Sequence, residues 1–243
     1  MGFNLGFLAD RRRKRARARA EREHAAALVD YQSQLAQWES DNAAVDRMLE
    51  VVRDCREGRI EKQFPDHDDY GFMLKPGEFA VAFLQGTAYI ETVRAPTRYS
   101  GGYGGVSFPL FGGVRLNTGR TGGRISRGEE SISNTDSGNA LVTNTRVMFA
   151  GSKRSKEWRF EKMMSCSHLP GGITIFALNT GKPSGIGYGD GPAPEVQFRI
   201  ELASALALGT LQRYEGELLA EKEQLAAQRP MPPVAPADLS TPN

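Results

Sequence analysis

The chain has 243 residues, of which 40% are hydrophobic and 25% charged, and its formal net charge is +2. This length allows one large domain, or one medium domain with helical extensions. No run approaches the roughly 18–20 apolar residues that a transmembrane helix needs. The only cysteines, Cys55 and Cys166, make neither a disulfide framework nor a zinc motif. We therefore expect a cytoplasmic protein, either free or peripheral at the membrane.

The charge is unevenly distributed along the chain. Residues 1–25 contain eight Lys or Arg residues and three acidic ones, a local net charge of +5, which leaves −3 for the rest. A basic N-terminal segment on an otherwise nearly neutral protein predicts an arm that binds an anionic partner. The basic residues are Arg11, Arg12, Arg13, Lys14, Arg15, Arg17, Arg19 and Arg22.

Residues 1–9 form an apolar tip that contains Phe3, Leu5 and Phe7. An apolar tip followed by a cationic face is typical of a segment that lies on an anionic membrane. The alternative is a partly disordered tip followed by a solvated helix start, and the sequence leaves both open. A basic helix also neutralises nucleic-acid phosphates without reading sequence, and we rank that partner below a membrane or a protein.

Residues 10–57 are predicted to form one long helix, because no Pro or Gly occurs between Asp10 and Arg56. Apolar residues recur there at alternating spacings of three and four, which is a heptad pattern. We call these positions the heptad seam: Leu28, Tyr31, Leu35, Trp38, Val45, Leu49 and Val52, with Asn42 as a polar member. The pattern predicts coiled-coil pairing, either with a second copy or with the helix near the C-terminus.

The remaining chain is divided into a linker (58–71), a β domain (72–200), a helix (201–228) and a disordered Pro-rich tail (229–243). The linker contains the acidic run Asp66-His67-Asp68-Asp69, interpreted as a solvated loop, so we predict no metal site. Period-two patterns in the β domain predict short strands. The predicted strands are Phe79–Leu84, Thr87–Val93, Val106–Leu110, Val114–Asn117, Ser131–Ser133, Leu141–Thr143, Val147–Phe149, Trp158–Phe160, Lys162–His168, Ile173–Leu178 and Val196–Ile200.

One stretch carries a family resemblance. Leu141-Val142-Thr143 leads into Asn144-Thr145-Arg146 and then Val147-Met148-Phe149. It resembles the strand, Thr-Asn, basic residue, strand signature of bacterial PH-like and GRAM-like domains, over residues 138–176. The resemblance implies an α+β fold, a PH-like antiparallel β-barrel or sandwich of about seven strands with a C-terminal helix. In this interpretation Arg146 is structural.

The resemblance also implies a function class. PH-like domains bind lipids, peptides or proteins, or serve as scaffolds, and they are not enzymes. Lys153, Arg154 and Lys156 resemble the position that such domains often use for anionic head groups. The alternative to anion binding is that these residues form a hairpin connection and that their charges only keep it soluble.

No catalytic constellation accompanies these features. Cys166 and His168 alternate on one predicted strand, but no motif supplies an orienting acid or an oxyanion site. The glycine-rich runs lack the Lys-Ser/Thr of a phosphate-binding loop. We therefore expect no enzymatic activity and no cofactor. The prediction is a PH-like binding or scaffold protein, with a nucleic-acid-associated protein and a purely structural homo-oligomer as alternatives.

Overall fold

The structure, a computed structural model, describes residues 5–64, 70–93, 106–110, 114–118 and 131–235, and over these residues the fold is α+β. Residues 1–4 of the predicted tip, the acidic run 66–69 and residues 236–243 of the tail lie outside the described residues. The chain divides into two compact units, one made of 1–47 with 218–243 and the other of 48–217.

The helices and strands have the following bounds. The helices are α1 (Leu5–Arg56), α2 (Ile60–Gln63), α3 (Ala193–Leu208) and α4 (Leu211–Ala227). The strands are β1 (Ala80–Val93), β2 (Val106–Leu110), β3 (Val114–Thr118), β4 (Ser131–Thr143), β5 (Arg146–Gly151), β6 (Ser155–Arg159), β7 (Met163–Leu169), β8 (Ile173–Leu178) and β9 (Ser184–Gly187).

Seven of the strands form one antiparallel sheet in the order β6-β5-β4-β1-β9-β8-β7. Among the described strands, β6 and β7 are its edges, so the sheet is open and the predicted barrel closure is not seen. The strands β2 and β3 pair separately, as their hairpin pattern predicts. Helix α3 contacts β1, β4 and β5 and so covers the middle of the sheet.

In two places, two strands predicted separately are parts of one long strand. The predicted strands Phe79–Leu84 and Thr87–Val93 are both in β1, which has a register shift between Leu84 and Thr87 where Gly86 adopts φ +63°. This is a β-bulge, because an extra residue re-aims a strand without ending it. The predicted strands Ser131–Ser133 and Leu141–Thr143 likewise both belong to β4.

The prediction of a last strand at Val196–Ile200 was wrong, because these residues lie in helix α3. Val196, Phe198 and Ile200 alternate, but they are buried together with every residue from Ile200 to Ala205. A helix buried on most of its circumference loses the periodicity that distinguishes it from a strand. The predicted single helix 201–228 is also two helices, since Gly209 adopts φ +65° between α3 and α4.

Strand β9 was not predicted, because its sequence, Ser-Gly-Ile-Gly, resembles a loop. It fits between β1 and β8, and a Cβ atom added at Gly185 would collide with the carbonyl oxygen of Thr174. The glycine therefore allows a close approach of two backbones. At the other end of the chain, α1 begins at Leu5, so residues 5–9 of the predicted tip are helical.

A buried ion pair sits at the turn between β4 and β5. The Glu78 carboxylate accepts hydrogen bonds from Arg146 Nε at 2.8 Å and Arg146 Nη2 at 2.9 Å, and from the hydroxyls of Thr143 at 2.7 Å and Thr145 at 2.8 Å. The Glu78 side chain is 1% exposed and that of Arg146 10%. A buried carboxylate and guanidinium remain charged in such a pair because nearly all of their acceptor and donor positions are hydrogen-bonded.

The same turn fixes the segment that precedes β1. The Asn144 side chain accepts a hydrogen bond from the Phe79 amide at 3.0 Å and donates one to the Gly77 carbonyl at 3.1 Å. Arg146 also donates to the Met73 carbonyl at 3.0 Å and pairs with Glu157 on β6. The Thr143–Arg146 turn therefore joins three separate parts of the chain.

We expect Arg146→Ala to lower the free energy of unfolding by about 3–5 kcal/mol, because it leaves the Glu78 charge buried without its main partner. Urea denaturation gives the value. Arg159→Ala is the matched control, since the Arg159 side chain is 35% exposed and its ion pairs lie at the surface; its cost should stay below about 1 kcal/mol. Equal costs for the two variants would contradict a structural role for the buried pair.

Candidate functional site

Residues 152–156, which we call the basic loop, connect β5 to β6 and include the first two residues of β6. They carry three of the predicted anion-binding residues, and a buried carboxylate shapes this segment. Asp136 on β4 accepts hydrogen bonds from the amides of Lys153 at 2.8 Å and Arg154 at 2.9 Å. It also accepts from the Ser152 hydroxyl and the Ser137 amide, each at 2.9 Å. The loop conformation is therefore set from inside the protein, with no need for a ligand.

These hydrogen bonds change the acidity of Asp136. Burial acts to raise the pKa of this carboxyl, but the bonds from Lys153, Ser152, Ser137 and Arg154 outweigh it and lower the pKa to about 2. Hydrogen bonds to the charged form favour that form. Asp136 therefore remains a carboxylate at any physiological pH. No sequence pattern predicted a role for Asp136, because a polar residue within a polar stretch of β4 gives no local signal.

The three cations of the loop are not equivalent. Arg154 forms an ion pair with Glu91 on β1, and its guanidinium lies 5.1 Å from the centre of the Tyr89 ring. These contacts hold Arg154 against the sheet. Lys153 and Lys156 are exposed. All three predicted cations are therefore exposed, but the charge of Arg154 is already paired with Glu91.

The basic arm, which we define as Arg11–Arg22, lies entirely on helix α1. Arg17 pairs with Glu21 at 2.8 Å and Arg19 with Glu23 at 2.7 Å, each one turn apart on the helix. Such pairs stabilise an exposed helix by a few tenths of a kcal/mol. The arm and the loop belong to different compact units.

Arg11, Arg12, Arg13, Lys14 and Arg15 are the first five cations of the arm, and all are exposed. No acidic side chain that the structure describes lies within ion-pair distance of any of them. Residues 11–15 of the arm therefore present a cationic surface to solvent.

The heptad seam becomes progressively more buried along α1. Leu28 is 37% exposed, Tyr31, Leu35 and Trp38 are half-buried, and Val45, Leu49 and Val52 are buried. In the unit made of 1–47 and 218–243, the Trp38 indole donates to the Leu225 carbonyl at 2.6 Å, and Lys222 pairs with Asp46. The later part of the seam thus pairs with α4 of the same chain, one of the two partners left open by the sequence.

A chain of buried polar groups connects the sheet to α3 and α4. The Thr174 hydroxyl lies 2.7 Å from the Tyr188 hydroxyl and 2.8 Å from His168 Nδ1. His168 Nε2 lies 3.5 Å from Glu201, which accepts a hydrogen bond from Tyr214 at 2.8 Å. These residues are distant in sequence, so only the tertiary structure brings them together.

Cys166 and His168 do not form a nucleophilic pair at a surface. The Cys166 thiol is 2% exposed, and burial, with a further contribution from Glu201, raises its pKa well above the usual value. A buried, protonated thiol is a weak nucleophile. Burial likewise raises the pKa of Cys55 to about 11.

Over the described part of the chain, no group of three or more His, Cys, Asp or Glu side chains is placed to hold a metal ion. The acidic run 66–69 lies outside the described residues. None of the described helices combines the length and the apolarity that crossing a membrane requires.

Comparison with protein-family models, with curated proteins and with solved structures gave no match.

We expect Asp136 to make stability depend on acid pH. Because its pKa is lowered from 3.8 to about 2 in the folded state, it stabilises the fold above about pH 4, and this contribution is lost as the pH falls towards 2. Asp136→Asn should lower the melting temperature at pH 7 and flatten the decrease between pH 4 and 2, as followed by circular dichroism.

Glu161→Gln is the control for this titration, since the Glu161 side chain is 66% exposed. It should leave the melting curve close to that of the wild type at every pH. An Asp136→Asn protein that loses as much stability between pH 4 and 2 as the wild type would show that Asp136 is not a source of the acid sensitivity.

Proposed function

We propose that this chain is a non-enzymatic, PH-like binding or scaffold protein that associates with an anionic membrane surface through its basic arm. The observation that carries the proposal is the exposed run of five cations, Arg11–Arg15, on a continuous helix. Each such charge near an anionic bilayer contributes about 1 kcal/mol of attraction.

The strand order supports a PH-like domain. Seven antiparallel strands in the order β6-β5-β4-β1-β9-β8-β7 are followed in the chain by helix α3, which packs on β1, β4 and β5. The signature at Leu141–Phe149 falls on the β4–β5 hairpin, where the buried Glu78–Arg146 pair is located. Fold likeness alone leaves the ligand open, so the membrane part of the proposal depends on the arm.

The sequence that precedes the arm favours a membrane over a nucleic acid. Leu5, Phe7 and Leu8 lie in the same helix immediately before Arg11. An interfacial helix gains binding energy from apolar residues as well as from charge. Phosphate binding to a nucleic acid uses the charges alone and leaves the apolar residues without a role.

Vesicle flotation tests the proposal. The full chain should float with vesicles of phosphatidylserine and phosphatidylcholine and not with phosphatidylcholine alone. Replacing Arg11, Arg12, Arg13, Lys14 and Arg15 with Gln should weaken binding by about a hundredfold or more, because five charges of about 1 kcal/mol each are removed. Added salt should weaken wild-type binding, since it screens exposed charges.

The matched control keeps the positive charge but replaces the guanidinium groups with ammonium groups. Replacing the four arginines of this run with Lys should leave binding within a few-fold of the wild type, because bilayer attraction depends on charge. Lys153→Gln with Lys156→Gln then measures what the β5–β6 loop adds. The proposal fails if the wild type does not float, or if the Gln variant floats equally well. Tight binding to DNA or RNA at low salt, with no flotation, would favour the nucleic-acid alternative.

A further inference from the structure

Helix α1 is much longer than the helix that pairs with it. It has 52 residues and α4 has 17, which correspond to lengths of about 78 Å and 26 Å. The contact between Trp38 and the Leu225 carbonyl lies close to the end of α4 at Ala227. About 50 Å of α1 precedes Trp38, and in the described part of this unit no other helix lies beside it.

The heptad seam extends past the end of this pairing. Leu28 is 37% exposed, and Tyr31 and Leu35 are half-buried, whereas Val45 is 5% exposed. Apolar residues on the surface of an unpaired helix remain in contact with water. Burying one leucine side chain against a partner stabilises the association by about 1.5–3 kcal/mol. The unpaired part of the seam, Leu28–Leu35, is therefore continuous with an established helix–helix interface.

The described part of the chain's own tail lies along the Trp38 end of this face. The Arg229 guanidinium lies 5.4 Å from the centre of the Trp38 ring, and the half-buried Pro230 lines one groove with Ser33, Gln34 and Trp38. Met231 and Val234, the apolar residues further along, are 86% and 91% exposed, so they do not pack on the seam. The described tail therefore leaves Leu28, at the other end of the face, 37% exposed.

We propose that the Leu28–Leu35 face of α1 binds the same face of a second copy of this chain, with the two helices antiparallel. This inference goes beyond the membrane proposal and does not depend on it. The same surface patch serves both copies, as a two-fold symmetric interface requires.

Charge selects the orientation. A parallel pair would place two basic arms side by side, each within a segment of net charge +5. An antiparallel pair that crosses near Tyr31 places residues 11–22 of one copy opposite residues 40–51 of the other. In the helix pair there, residues 40–47 and 218–227 together contain four acidic and two basic residues. Opposite charges in this arrangement attract and like charges are kept apart. The acidic members are Asp41, Asp46, Glu221 and Glu223.

Sedimentation equilibrium of the full chain without membranes tests self-association. We expect a reversible dimer at micromolar concentration. Leu28→Asp should weaken it by about tenfold or more, because each dimer loses two buried leucines and gains two charges at the interface. Dissociation should increase with salt, since screening reduces the attraction between the arm and the acidic helix pair.

Val29→Asp is the matched control. Val29 is the neighbour of Leu28 in the chain, but it lies off the seam and is 64% exposed. Replacing it with Asp introduces the same charge. It should leave the dimer unchanged, and the circular dichroism of the two variants should show equal helix content. A wild type that remains monomeric, or equal weakening by both variants, overturns the proposal. Dimerisation that appears only after deletion of residues 231–243 would show that the tail occupies the seam instead.

Orientation is measured with a spin label on Ala16→Cys, an exposed position on the arm. Cys55 and Cys166 are buried, so the introduced cysteine is the accessible target. Antiparallel helices that cross near Tyr31 place the two labels about 45 Å apart, and parallel helices place them about 10–20 Å apart. The short distance would overturn the antiparallel arrangement. Because no vesicle is present, this result and the flotation result are independent.

Discussion

The buried pair of Glu78 and Arg146 organises the β unit. Taking two charges out of water costs several kcal/mol, so the pair is stable only with nearly complete hydrogen bonding. Thr143, Thr145 and the Lys75 amide supply the remaining donors to Glu78. Arg146 in turn pairs with Glu157 on β6. Because the partners of the ion pair come from the segment before β1, from the β4–β5 turn and from β6, the requirement to satisfy both charges fixes the relative positions of all three. The Thr-Asn-Thr-Arg turn thus has a geometric role, and its arginine is already occupied.

Acidic residues that are buried and accept several hydrogen bonds shape this unit, whereas the exposed cations are available to partners. Asp136 sets the β5–β6 loop through four donors, and Glu91 engages Arg154, so that loop is a structured connection with two exposed lysines. The basic arm has the opposite character, because Arg11–Arg15 are exposed on a helix without a described acidic partner. A basic residue therefore either takes part in the fold or remains available to a partner molecule. Whether an acidic side chain lies within reach decides between the two roles.

The heptad seam shows how one pattern can serve two interfaces. Over its later part α1 pairs with α4 of the same chain, with Trp38 bonded to the Leu225 carbonyl and Asp46 paired with Lys222. Over Leu28–Leu35 the same periodicity continues past the end of α4, and Leu28 is 37% exposed. Periodicity specifies which face of a helix is apolar, and it says nothing about which helix covers that face. The membrane and dimer proposals use different parts of the same helix, its charges and its apolar seam.

The sequence by itself determined the long helix α1, the β2–β3 and β7–β8 hairpins, the β4–β5 turn and the cationic arm, because each depends on local periodicity, turn residues or charge. Only the tertiary structure decided the rest. Val196–Ile200 alternates like a strand but is helical, since burial on most sides removes the helical period, and Ser184–Gly187 becomes a strand because β1 and β8 provide its hydrogen bonds. The roles of Asp136 and Glu78, and the buried series from Tyr188 to Tyr214, depend on contacts between residues far apart in the chain. No local pattern encodes such contacts, because the energy that selects them comes from desolvation and pairing in the folded state.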